Sequence, residues 1–281
     1  MLRFTILPGR LLEPIVIVIL AYVAVLVFAY LRQEKMTYFP YRCTRAVAVD
    51  RAQQFGLLLW PASSADYYGF VSTDFSGPSK GVVLCFHGNA GSAVDRFYYM
   101  NEIQRLGYRV VLFEYPGYGA RSGPLRESVF IADAKRAAQT AVEQFGGPLF
   151  VWGESLGCGI ASAIAGGKEI TVKGVVMVTP WDTLPDLAQN LYWYLPVKWL
   201  IRDAYDNIIN LRDFKGPIAV VMAGEDEIIP NKRTEKLFES LSENKRLWTV
   251  QNAGHNDWLR AVDETWWKEV MDFVDGGTGD R

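Results

Sequence analysis

Gly153-Glu154-Ser155-Leu156-Gly157 sets a serine between two glycines, where the apolar run Leu149 to Trp152 gives way to small apolar residues at helical spacing from Ile160 to Ala165. A sharp strand-to-helix turn of this kind lifts a hydroxyl out at the end of a parallel sheet, and glycines flank it because a Cβ would collide with neighbouring backbone. A hydroxyl is a poor nucleophile at neutral pH, so it needs a base to take its proton and an acid to orient that base. The chain has two histidines, His87 and His255. His255 lies in Asn252-Ala253-Gly254-His255-Asn256-Asp257, after the last strand-like run, and Asp226 lies in Ala223-Gly224-Glu225-Asp226-Glu227-Ile228-Ile229-Pro230, just past another. All three follow strands, so they can meet at one sheet edge as nucleophile, orienting carboxylate and base. The plain structural alternatives are a helix cap for Ser155, a solvated turn carboxylate for Asp226 and a turn residue for His255. Glu225, Glu227 and Asp182 are rival orienters.

Acyl chemistry at a serine also needs donors for the tetrahedral oxyanion. The expected donors are the backbone N–H groups of Leu156, directly after the nucleophile, and of Asn89 in His87-Gly88-Asn89-Ala90-Gly91-Ser92, a loop that ends the apolar strand Gly81 to Phe86. His87, at that strand end before a glycine, is expected to bond backbone and shape the loop. Glu154 is expected to be structural or to tune the local field.

Other functions are disfavoured. A formal net charge of -2 over 281 residues gives no electrostatic case for nucleic acid. Two histidines without HExxH or Cys/His clustering argue against a metal site. Gly117-Tyr118-Gly119 has Ser122 where a dinucleotide loop needs its third glycine, so no cofactor is expected. Cys43, Cys85 and Cys158 are odd in number and lack CxxC spacing, which fits free thiols.

These groups must be carried by a scaffold, and the pattern of the chain supplies one. A hairpin, Gly56 to Trp60 and Tyr67 to Ser72 around Pro61-Ala62-Ser63-Ser64, precedes the turn Ser76-Gly77-Pro78-Ser79; strands and helices then alternate to about Val274. That alternation predicts an α/β fold, a mostly parallel sheet of about eight strands with helices on both faces, over residues 53–275. Residues 11–31 are almost wholly apolar and read as a membrane helix, with Arg3 and Arg10 before it, Arg32 and Lys35 after it, and Tyr22, Tyr30 and Tyr38 available for the interfaces. A cleaved secretory signal is the rival reading. The excess of basic residues after the span favours a cytoplasmic domain. Residues 1–10 read as a tail, 32–52 as a connector broken by Pro40, and 276–281 as a frayed end.

The stretch 180–216 departs from the alternation and reads as a lid-like insertion. Its aromatics include Trp181, Tyr192, Trp193 and Tyr194, candidates for an apolar substrate pocket or for ordinary core.

With these residues in hand, the chain resembles the α/β-hydrolase superfamily, and within it a branch with an N-terminal membrane helix that includes lysophospholipid and monoacylglycerol lipases and depalmitoylases. The resemblance rests on Tyr38-Phe39-Pro40, His87-Gly88-Asn89-Ala90-Gly91, Tyr115-Pro116-Gly117-Tyr118-Gly119, Gly153-Glu154-Ser155-Leu156-Gly157, Asp226-Glu227-Ile228-Ile229-Pro230 and Gly254-His255. It implies a Ser155, Asp226, His255 triad, in the chain order of that superfamily, with Asn89 and Leu156 as oxyanion donors and an ester or thioester of lipidic character as substrate. Thr179-Pro180-Trp181 departs from the Pro-Phe usual there. Amide cleavage or acyl transfer on the same triad, or an inactive membrane-tethered scaffold, are the alternatives.

Overall fold

The computed structural model describes residues 9–62, 66–75 and 77–276. Arg3, much of the two expected tails, and parts of the turns at Pro61-Ala62-Ser63-Ser64 and Ser76-Gly77-Pro78-Ser79 lie outside them. In chain order the elements are helix α1 (Gly9–Thr37), strand β1 (Phe39–Pro40), α2 (Arg45–Gln54), β2 (Leu57–Trp60), β3 (Gly69–Ser72), β4 (Val82–Phe86), β5 (Ala90–Gly91), α3 (Phe97–Arg105), β6 (Arg109–Phe113), α4 (Glu127–Phe145), β7 (Leu149–Glu154), α5 (Leu156–Gly166) and β8 (Val172–Val178). Three short helices follow, α6 (Leu184–Leu191), α7 (Val197–Leu200) and α8 (Asn207–Leu211), then β9 (Ile218–Ala223), α9 (Asn231–Ser240), β10 (Lys245–Val250) and α10 (Glu264–Val274).

Eight strands form one sheet in the order β10-β9-β8-β7-β4-β6-β3-β2. Strands β4 and β6 to β10 run parallel, while β3 pairs antiparallel with β6 and β2 with β3. Side chains alternate across such a sheet, and each central strand feeds two cores. Leu84, Phe86 and Val151 pack on one face with Phe130, Ala134 and Ala138 of α4 and with α5. Cys85, Phe150 and Trp152 pack on the other with Tyr99 and Ile103 of α3 and with Trp267 and Met271 of α10. Because β4, β7, β9 and β10 are parallel, the loops after them emerge on one edge, where ligands of open parallel sheets bind.

α1 is long and apolar enough to cross a membrane over Glu13–Thr37, 25 residues, or roughly 37 Å at about 1.5 Å per residue. It outlasts the apolar run, which ends at Leu31, because Arg32, Gln33, Glu34 and Lys35 are good helix formers and nothing stops the helix before Thr37. The expected connector is largely ordered as well. Thr44 caps α2, its hydroxyl accepting from the Val47 N–H at 3.4 Å, and β1 pairs in parallel with β5. Tyr38 is not an interface residue. It is buried, and its hydroxyl lies 2.7 Å from Asp203 Oδ2 and 2.8 Å from the Tyr205 hydroxyl.

Candidate active site

Ser155 sits between β7 and α5 with φ 51° and ψ -113°, a left-handed backbone that is costly for a residue bearing a Cβ. Its N–H donates to the Val178 carbonyl at 2.8 Å, tying the turn to β8. Both flanking glycines are required by contact: a Cβ on Gly157 would stand 2.1 Å from the Phe86 carbonyl oxygen, and one on Gly153 would stand 2.6 Å from the Cys158 nitrogen. The turn therefore closes only with glycine at both positions, and the closure holds the hydroxyl above the sheet.

The loops after β9 and β10 bring the other two groups to it. His255 Nε2 is 3.0 Å from Ser155 Oγ, and His255 Nδ1 is 2.8 Å from Asp226 Oδ2. Asp226 is fixed by its own loop, since Oδ1 accepts from the N–H groups of Ile228 at 2.9 Å and Ile229 at 2.7 Å. The adjacent Glu227 carboxylate accepts the His255 N–H at 3.0 Å and so steadies the histidine loop from outside. Ser155 and His255 are only 9% and 6% exposed, which strengthens hydrogen bonds between them relative to water. Asp182, the rival orienter, is engaged elsewhere: it is buried and accepts from Arg233 at 2.8 Å and pairs with Lys236 at 2.7 Å. Glu225 is on the surface side of the same turn, its N–H donating to the Ala253 carbonyl.

Leu156 opens α5, so its N–H is one of those a helix start leaves without an intrahelical carbonyl. Asn89 lies in the neighbouring loop, where a Cβ on Gly88 would stand 3.7 Å from the Ser155 Cβ. The Asn89 carbonyl accepts from the Phe39 N–H at 2.9 Å and the Tyr118 hydroxyl at 2.7 Å, and its side-chain amide donates to the Thr37 carbonyl at 2.9 Å. These contacts commit the carbonyl and the amide of Asn89, not its N–H. His87 faces away from Ser155 into the loop's interior, with Nδ1 2.7 Å from the Gly88 carbonyl and Nε2 3.3 Å from Glu114 Oε1.

Glu154, directly before the nucleophile, anchors a network that the sequence leaves hidden. Its carboxylate accepts from Arg96 at 2.9 and 3.2 Å and from the hydroxyls of Tyr98 and Tyr99, each at 2.8 Å. Burial by itself would raise its pKa, but the Arg96 guanidinium and these donors outweigh burial and hold it at about 2. Burial, and then the same carboxylate, push the Tyr99 hydroxyl well above its ordinary value. Only the acidic residue inside the elbow hinted at this site; its partners lie some sixty residues earlier.

A cavity of about 520 Å³ opens over these groups, within the range of roughly 300–1,000 Å³ typical of small-molecule sites. Ser155, Leu156, His255, Asn89 and Gly88 form its floor, and its walls are largely apolar, including Leu184, Leu187, Leu195 and Ile229. Trp181 and Tyr192 line it as expected for pocket residues. Trp193 and Tyr194 do not. They are 79% and 54% exposed and point outward, because the chain turns after α6 and only alternate parts of the turn can face inward. Among the described residues no group of three or more His, Cys, Asp or Glu side chains is placed to hold a metal ion.

Comparison with known proteins agrees with this architecture. Residues 81–212 match the family described as the alpha/beta hydrolase fold. A Mycobacterium tuberculosis protein of uncharacterised function is 29% identical over 256 residues, covering 88% of this chain and 89% of that one. The lysophosphatidylserine lipase ABHD12 of Danio rerio is 27% identical over 210 residues, covering 67% of this chain and 54% of the lipase. The chain thus spans about half the length of that lipase. Among solved structures, an esterase of Pyrococcus furiosus superposes with a TM-score of 0.63 at 17% identity, covering 86% of this chain and 98% of that one. A monoacylglycerol lipase of Paleococcus ferrophilus gives 0.53 at 20% identity, covering 73% and 97%. The likeness to the solved structures carries the fold, and the sheet order and the matched residues 81–212 together give this chain an α/β-hydrolase fold.

Proposed function

We propose that this protein is a membrane-anchored serine hydrolase that cleaves carboxylic esters or thioesters of acyl lipids. The observation that carries the reading is the continuous contact Ser155 Oγ to His255 Nε2, 3.0 Å, and His255 Nδ1 to Asp226, 2.8 Å, on the floor of an apolar cavity. Ser155 Oγ attacks the acyl carbonyl carbon while its proton passes to His255 Nε2. Asp226 keeps the proton on Nδ1 and stabilises the imidazolium. The N–H groups of Asn89 and Leu156 receive the oxyanion. Collapse of the tetrahedral adduct expels an alcohol or thiol, which takes its proton from His255, and water then cleaves the acyl-enzyme by the same route.

The membrane anchor is α1, and residues 180–216 act as the lid over the cavity. The apolar walls favour an acyl chain over a peptide, and the Danio rerio relative is a lysophosphatidylserine lipase. A fluorophosphonate probe tests the reading on the full chain in detergent. Labelling disappears in Ser155→Ala and falls sharply in His255→Ala. Equal labelling of wild type and both variants removes it.

A further inference from the structure

One wall of the reaction cavity is α1 itself. Ala29, Tyr30, Gln33 and Met36 share the cavity with Ser155 and His255. The less exposed residues of the helix, Leu26, Ala29, Gln33 and Thr37, recur at spacings of three and four and so form one stripe. That stripe docks on the β8–β9 segment through specific bonds. The Tyr22 hydroxyl donates to the Tyr194 carbonyl at 3.0 Å; Gln33 donates to the Leu200 carbonyl at 3.3 Å and accepts from the Arg202 N–H at 2.9 Å. The Arg202 guanidinium lies 4.0 Å from the centre of the Tyr30 ring.

The depth of these contacts matters. Tyr22 lies ten residues before Arg32, the first charge after the apolar run, or about 15 Å along the helix axis. Tyr194 follows it there, and the neighbouring Trp193 and Trp199 are 79% and 90% exposed. Whichever leaflet surrounds the second half of α1 therefore also surrounds this tip of the β8–β9 segment, and aromatic side chains suit that depth.

We infer that the cavity is loaded sideways from the leaflet, that the acyl chain lies along α1, and that Ala29 sets how long a chain can be seated. The inference rests on the hydrolase reading and adds a role for the membrane helix as a specificity element, with chain-bearing acyl lipids in a bilayer as the substrate.

The test uses the full chain in phosphatidylcholine nanodiscs, with an acetyl ester in solution and a hexadecanoyl ester in the bilayer. Ala29→Trp fills the wall, Ala188→Trp fills the facing surface of α6, and Leu31→Trp adds the same bulk on the opposite, exposed face of α1. Each displaced methylene forfeits its burial, so the hexadecanoyl-to-acetyl rate ratio falls about ten-fold or more in Ala29→Trp and Ala188→Trp and stays within about two-fold in Leu31→Trp. Fluorophosphonate labelling of each variant reports a folded site. A ratio unmoved by both cavity tryptophans, in a wild type that cleaves both esters, overturns the inference and leaves the hydrolase reading standing. A wild type that cleaves neither ester removes both.

Discussion

The side-chain amide of Asn89 donates to the carbonyl of Thr37, the last residue of α1, at 2.9 Å. A helix end leaves carbonyls without partners, and here one of them is satisfied by the loop that also carries a candidate oxyanion donor. β1 and β5 pair immediately beyond, so the chain leaving α1 and the loop beside Ser155 are fastened together. Asn89→Ala removes the clamp but keeps the backbone N–H. On the proposed mechanism its kcat for a short ester falls on the order of ten-fold with KM little changed, since the donor moves only in the transition state's disfavour. Steady-state kinetics check this; an unchanged kcat would mean the loop holds its geometry without the amide.

Asp226→Asn tests the orienting role. The N–H groups of Ile228 and Ile229 keep an acceptor oxygen at the Oδ1 position, so the amide NH2 faces Nδ1 and donates to it; the imidazole is held in the wrong tautomer and kcat falls roughly 10³- to 10⁴-fold while the fold is kept. Circular dichroism and ester kinetics together decide it. Loss below ten-fold would place the orienter elsewhere.

The Glu154 to Arg96 pair makes stability depend on acid. The folded-state pKa, about 2, lies below the ordinary value of 4.5, so the stabilisation is complete above the ordinary value and drains away as pH falls towards 2. The full effect is roughly 3 kcal/mol, a little over half of it lost by pH 3. Glu154→Gln cannot titrate and also leaves Arg96 without its carboxylate, at a cost of roughly 2 to 4 kcal/mol at neutral pH. Denaturant titrations of the two proteins at pH 7 and pH 3 read the difference. The gap between them narrows in acid, and a gap of equal size at both pH values would contradict the pairing.

Gly157 has no room for a side chain, because its Cβ would meet the Phe86 carbonyl oxygen at 2.1 Å. That carbonyl belongs to β4 and is held in the sheet, so the elbow must shift instead. Gly157→Ala destabilises by roughly 2 to 4 kcal/mol and displaces Ser155. Thermal unfolding in detergent shows a drop of several degrees, accompanied by loss of fluorophosphonate labelling. Native stability with full labelling would show that the turn can relax.

Much of the candidate site was legible in the sequence. Ser155, Asp226 and His255 could be picked out because each follows a strand-like run, and parallel strands deliver their following loops to one edge. The elbow glycines declared a close approach, and the partners they avoid are the Phe86 carbonyl and the Cys158 backbone. The strands were legible because a strand buried on both faces must be apolar throughout, as Val82 to Phe86 is.

Other features were beyond local pattern. Helix α2 was hidden because its residues have little apolar periodicity and it is held by a cap and by packing on β2. Trp193 and Tyr194 look like pocket residues by composition, yet which side of a short turn faces inward depends on what packs against it. Glu154 finds Arg96, Tyr98 and Tyr99 only once α3 lies against the elbow. The sequence alone determined the parallel scaffold and the apolar helix and singled out a candidate serine, carboxylate and imidazole, since strand burial, helix length and turn geometry are written in local runs of residues. Only the tertiary structure decided that the helix doubles as a wall of the cavity, because contacts between Tyr22 and Tyr194 or Gln33 and Leu200 join positions more than 160 apart and exist only after the chain has closed on itself.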